Sequence, residues 1–160
     1  MTNPTIRHLS LEEEGRYILQ ECGVMAVGVQ ALLGFQMLSI LTPALYDRLE
    51  PALRLLHLGG IVLVIISMFL LLTPACYHRL AESDHFSAKF VDAAVILVGW
   101  ALAFLRLGLV VEIYTATRAL GFASASALGL SAGLFLLSWT LWSVYPRVSV
   151  MRLAPRTKSD

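Results

Sequence analysis

The chain has 160 residues, one domain's worth, of which 58% are apolar and only 14% charged, with a mean hydropathy of +0.74. A water-facing domain carries roughly a quarter charged residues, so soluble enzyme folds, nucleic-acid binders and disordered chains are poorly supported. Twelve basic and eleven acidic residues give a formal charge of +1, which leaves no basic field to attract nucleic acid.

The N-terminal stretch lacks the pattern of a secretory signal. Ser10 to Arg16 is acidic where a signal is basic, and no small-residue cleavage site follows a short apolar core. The first apolar run is therefore expected to stay as a membrane anchor. Ser10-Leu11-Glu12-Glu13 fits a capping box, with serine first and glutamate three residues on. A helix is predicted to start at Leu11, with residues 11–21 forming an amphipathic foot at the membrane surface.

Four long apolar runs follow. Cys22 to Tyr46 has no charge in 25 residues, and Leu55 to Tyr77 has none in 23, with His57 its only titratable interior group. Ala93 to Val111 has one charge, Arg106, and Ala119 to Pro146 has none in 28 residues. A hydrocarbon core of about 30 Å needs about 20 helical residues, so each run is long enough to cross. The runs are continuous, not alternating, and hydrocarbon leaves no water for unpaired backbone groups, which favours helices over strands. Predicted spans are about 22–46, 52–77, 90–116 and 122–145. Pro51 suits the first turn of span two, Pro43 and Pro74 the last turns of spans one and two, and Gly121 the end of the helix after span three. Asp92 is placed at the start of span three, where it meets the helix dipole. Residues 155–160 read as a disordered tail. The fold class is thus all-α, an integral membrane four-helix bundle in a single domain over 1–160.

Orientation follows from lysine and arginine. Arg7, Arg16, Arg79, Lys89, Arg147, Arg152, Arg156 and Lys158 flank one side, while only Arg48, Arg54 and Arg118 flank the other. Both termini are predicted cytoplasmic, in the inner (plasma) membrane. The two cysteines, Cys22 and Cys76, then lie near the cytoplasmic face and are expected to be free thiols.

A family likeness rests on residues in this order. Span one reads Glu14-Gly15-Arg16 and then Gly28 to Gln36, with Gly34-Phe35-Gln36 at its end. Span two begins Leu56-His57-Leu58 and ends Thr73 to Arg79, with Tyr77-His78-Arg79 at its close. Span three ends Leu107-Gly108-Leu109-Val110-Val111-Glu112-Ile113-Tyr114. Over roughly residues 12–146 this resembles a family of small bacterial four-helix membrane proteins known only as a domain of unknown function (DUF6328). Aspartate is common in that family where this chain has Glu112, a departure that keeps the charge. The resemblance implies the fold and a membrane location, and no activity.

The costly residues carry the candidate site. Arg106 lies about three residues past the midpoint of span three, where a charge costs at least ~2.5–3.5 kcal/mol. By depth, Gln36 of span one and Ser131 of span four fall in its layer, His57 lies about a turn further out, and Glu112 beyond that. One outer-half polar cluster is therefore expected: Gln36, His57, Arg106 and Ser131, with Glu112 at its mouth. Arg106 there is a structural clamp, part of an ion or proton path or an anion or lipid-headgroup site, or a lipid-facing side chain that snorkels. Gln30 shares a face with Gly23, Val27 and Gly34, and Ala125-x3-Gly129-x3-Gly133 forms a second small-residue ridge. Both read as helix-packing stripes. Trp139, Trp142 and Tyr145 read as an interfacial belt, and Tyr77-His78-Arg79 as a headgroup anchor.

No metal or cofactor is expected. Cys22, Cys76, His78 and His85 include no strong zinc-ligand pair, and His57 and His78 sit at opposite ends of one helix, so one haem cannot use both. Scattered serines without a nearby base argue against an enzyme. The expected partners are the lipid bilayer and a second copy or a membrane-complex partner. The chain is read as a non-enzymatic accessory or structural bundle. The alternative is a small oligomeric channel or transporter for proton, cation or small anion.

Overall fold

The computed structural model describes residues 9–43, 47 and 49–153. The helices are α1 (Leu11–Ile40), α2 (Pro51–Ala81), α3 (Ala88–Ala119), α4 (Ser124–Trp139) and α5 (Tyr145–Leu153). A π-helical turn, Thr140–Val144, joins the last two into one span, Ser124–Ser149. All four spans are long and apolar enough to cross a membrane, and no strand occurs among the described residues. The expected tail at 155–160 lies outside the described residues.

Local chemistry sets the ends. The Ser10 hydroxyl accepts from the Glu13 backbone N–H at 3.3 Å, and the Glu13 carboxylate accepts from the Ser10 N–H at 2.9 Å, closing the capping box. The foot and the first span form one helix of about 45 Å at 1.5 Å per residue. It stops at Ile40, earlier than residue 46, because Pro43 pushes the residue before it away from helical geometry. Pro51 opens α2 as expected, but Pro74 lies inside that helix, which continues to Ala81.

Span three starts earlier than Asp92. Ser87 is the cap: its hydroxyl accepts from the Phe90 N–H at 3.1 Å and donates to Glu82 at 2.8 Å, and its own N–H reaches the other Glu82 oxygen at 3.1 Å. Bonding from Ser87 holds the Glu82 carboxyl below its usual range. Asp92 is left exposed in the second turn. Gly121, with φ of 88°, supplies the left-handed residue that ends α3.

Helices α1, α2 and α3 form the core, and span four lies along α3. The centre is Ala26, Val29, Val64, Leu71 and Ala101, while the α1 foot packs Ile18 and Leu19 on Phe90, Val91 and Ala94. Large apolar side chains such as Val27, Phe35, Phe69, Ile96 and Leu136 point outward. That is the surface a lipid solvent selects, since apolar groups gain nothing by hiding from it.

The predicted packing stripes do not hold this chain together. A side-chain carbon placed at Gly23, Gly34, Gly129 or Gly133 would meet nothing within 4 Å, and Gln30 is exposed. The close approach belongs instead to Gly60 and Gly108, where α2 meets α3. A Cβ on Gly108 would sit 2.7 Å from Val64 Cγ2 and 3.1 Å from the Gly60 carbonyl oxygen. Near that seam the fully buried Ser67 hydroxyl donates to the Ala101 carbonyl at 2.8 Å. Interhelical bonds in membranes average about 0.6 kcal/mol. Ser67→Ala is therefore expected to lower stability by about that much in detergent unfolding, without changing the fold.

Candidate functional site: two polar sites on α3

The residues expected in one cluster occupy separate sites. The first joins the end of α1, the start of α2 and the last turns of α3. His57 is 5% exposed, with Nδ1 3.0 Å from Glu112 Oε1 and Nε2 2.8 Å from the Ser39 hydroxyl. Ser39 spends its single proton on the Gln36 carbonyl at 2.6 Å. It can then only accept from His57, so Nε2 carries a proton. Across Nδ1 the contact has ion-pair distance but not the alignment of a hydrogen bond. A lone charge this far from water is costly, so His57 and Glu112 are best held as a pair that is neutral overall.

Gln36 completes this site. It is 4% exposed, its amide turns toward the Glu112 carboxyl, and neither amide atom reaches hydrogen-bond geometry with a protein group. A cavity of about 50 Å³ adjoins Ser39, His57, Glu112 and Thr115. Small-molecule pockets run about 300–1,000 Å³, so this one suits only species the size of water or a small ion.

Arg106 is not in that site. Its guanidinium donates to the Ser143 hydroxyl at 2.9 Å, with Cζ 5.1 Å from the centre of the Trp139 ring and 5.8 Å from that of Trp142. The side chain is 5% exposed and Nε has no partner. Two geometric facts explain the separation. Positions 106 and 112 are six residues apart, so they face about 120° apart on the helix. Helical side chains also lean toward their own N-terminus, which carries Arg106 toward the end where α3 begins, not toward Glu112. Ser131 is buried at 2% exposure with its hydroxyl unpartnered, and it joins neither group by a hydrogen bond.

The second site depends on the π-helical turn. Pro146 has no N–H to donate, and its ring crowds the carbonyl four residues back. The helix widens just before it, and the Tyr145 N–H bonds the Thr140 carbonyl, five residues away. Such turns often mark functional sites. The Ser143 carbonyl accepts from Arg147 at 2.6 Å, so two guanidiniums meet one serine.

Sequence reasoning missed Ser39 and Ser143. Ser39 is one turn beyond Gln36, so helical spacing alone could have found it. No spacing rule pointed to Ser143, whose place depends on the widened turn. Toward the start of α1 and the end of α2, Cys22 is buried and Cys76 exposed, both as free thiols, and His78 stacks on Phe86 with centroids 4.3 Å apart. Among the described residues no three histidines, cysteines or carboxylates gather as a metal site.

No curated protein and no solved structure matches this chain. A family model does match, over residues 11–146, and its description is a family of unknown function. The match takes in α1 to α4, the π-helical turn and both polar sites up to Pro146, one residue short of Arg147, so the chain belongs to the family of unknown function DUF6328.

Proposed function

We propose that this chain is a non-enzymatic bundle of the inner membrane, with both termini in the cytoplasm, that associates with its own copies or joins a larger membrane assembly. The observation that carries this reading is the closed apolar middle between the two polar sites. Val29, Val64, Leu71 and Ala101 pack there, and the Ser67 hydroxyl is already spent on a carbonyl. A lone bundle of this kind offers no polar path from side to side. The unused small-residue faces support association. Gln30 turns an amide outward between Gly23 and Gly34, where nothing among the described residues satisfies it, and the Gly129–Gly133 ridge is equally open. Small residues with a polar group among them favour close helix approach in lipid.

The test is twofold. In proteoliposomes, no flux of proton, sodium, potassium or chloride is expected. Single-molecule photobleaching of labelled chains in the same vesicles should count more than one subunit, and Gln30→Leu should lower the count. Flux that Arg106→Gln or Glu112→Gln abolishes would sink this reading in favour of a small oligomeric channel or transporter.

A further inference from the structure

Arg106 and Arg147 converge on Ser143 from two helices, one through its hydroxyl and one through its carbonyl. Among the described residues neither guanidinium has a carboxylate within 4 Å; the ion pairs there are Arg16–Glu12, Arg54–Asp47 and His57–Glu112. Two cations held on one serine repel, and repulsion grows as the dielectric falls. Such a pair is stable where an anion completes it. Arg106 is nine-tenths buried and still has an unpartnered Nε. Both arginines line one groove of about 660 Å³ between α3 and the end of span four, with Trp100, Trp139 and Trp142 along it. On the far side of Arg106 the same seam continues as an apolar groove of about 290 Å³ walled by Leu109, Ile113, Leu134 and Leu137.

We propose that this seam binds one anionic phospholipid, its phosphate between Arg106 and Arg147 and an acyl chain along the apolar groove. Three features fit that occupant. Tryptophans mark headgroup depth in a bilayer, and Trp139 and Trp142 flank the Arg106 guanidinium. Guanidinium forks bind phosphate oxygens in pairs. The continuation is lined by leucine, valine and isoleucine side chains, with Arg106, Ser138 and the Trp142 indole as its polar-bearing members. The turn at Pro146 places Ser143 so that both arginines are fixed before a lipid arrives.

The experiment uses the full chain, purified in mild detergent. It is titrated with phosphatidylglycerol and, separately, with phosphatidylcholine of the same acyl chains, reading bound lipid by native mass spectrometry and protection by thermal melting. The expected result is one phosphatidylglycerol bound in preference to phosphatidylcholine, with a raised melting point for the first lipid only. Arg147→Gln, an exposed position that leaves the core untouched, should weaken phosphatidylglycerol by about fivefold, as for one basic residue at a membrane surface. Arg106→Gln should remove the preference. Equal retention of the two lipids by the native chain overturns the proposal. So does an Arg147→Gln variant with undiminished preference. Equal protection by inorganic phosphate assigns the site to a free anion and overturns the lipid.

Discussion

His57→Leu is expected to lower stability by about 3–5 kcal/mol, because removing one member of a buried pair strands the other. The stranded group is Glu112, packed under Gly60 with Thr115 one turn away. Leucine has no nitrogen to meet its carboxyl, and Ser39 loses the donor it had at 2.8 Å. The companion variant decides the cause. In His57→Leu/Glu112→Leu both polar groups are gone, and replacing a whole buried pair with apolar residues is often near neutral. The double variant should therefore be more stable than His57→Leu alone, with a coupling energy of a few kcal/mol. Equilibrium unfolding in mixed micelles, followed by circular dichroism, measures all three. Single losses that simply add would mean that His57 and Glu112 contribute by separate packing, and that their 3.0 Å contact carries no energy.

The helices were legible in the sequence because their causes are local. A serine with glutamate three residues on, a proline at a first turn and a glycine with positive φ each act within a few residues. Apolar runs set the spans, since lipid imposes one length scale on every helix. The grouping of polar residues was only half legible. Depth along the membrane can be counted, and it set Gln36, His57 and Glu112 toward one end, where His57 and Glu112 lie 3.0 Å apart. Depth says nothing of direction around the helix axis, and there Arg106 departs. The sequence also offers no way to choose among glycines. Gly23, Gly34, Gly129 and Gly133 have the spacing of packing motifs and face outward, while Gly60 and Gly108 lie in no such motif and touch. Which small residues meet depends on how α2 and α3 rotate, and rotation is a property of the assembled core.

That assembled contact yields the other large effect. Gly108→Leu is expected to destabilise the chain by about 1–3 kcal/mol or more, the usual cost of overpacking a filled interface. The new Cβ alone would press within 2.7 Å of Val64 Cγ2, and behind it stands the Gly60 carbonyl at 3.1 Å, a backbone atom that cannot turn aside. Val64 is fully buried in the central cluster, so it has nowhere to retreat. Helices α2 and α3 would have to part, loosening the Ser67 to Ala101 bond near the same seam. Gly129→Leu is the control. It adds the same side chain to a helix interior and gains the same helix propensity over glycine, but meets nothing within 4 Å. Unfolding in mixed micelles should separate the two variants clearly, with Gly129→Leu near the native chain. Photobleaching of Gly129→Leu in vesicles then reports on association alone. A lower subunit count there, with folding intact, would place the open ridge of α4 between copies; an unchanged count would leave that ridge to lipid and move the contact to the Gln30 face.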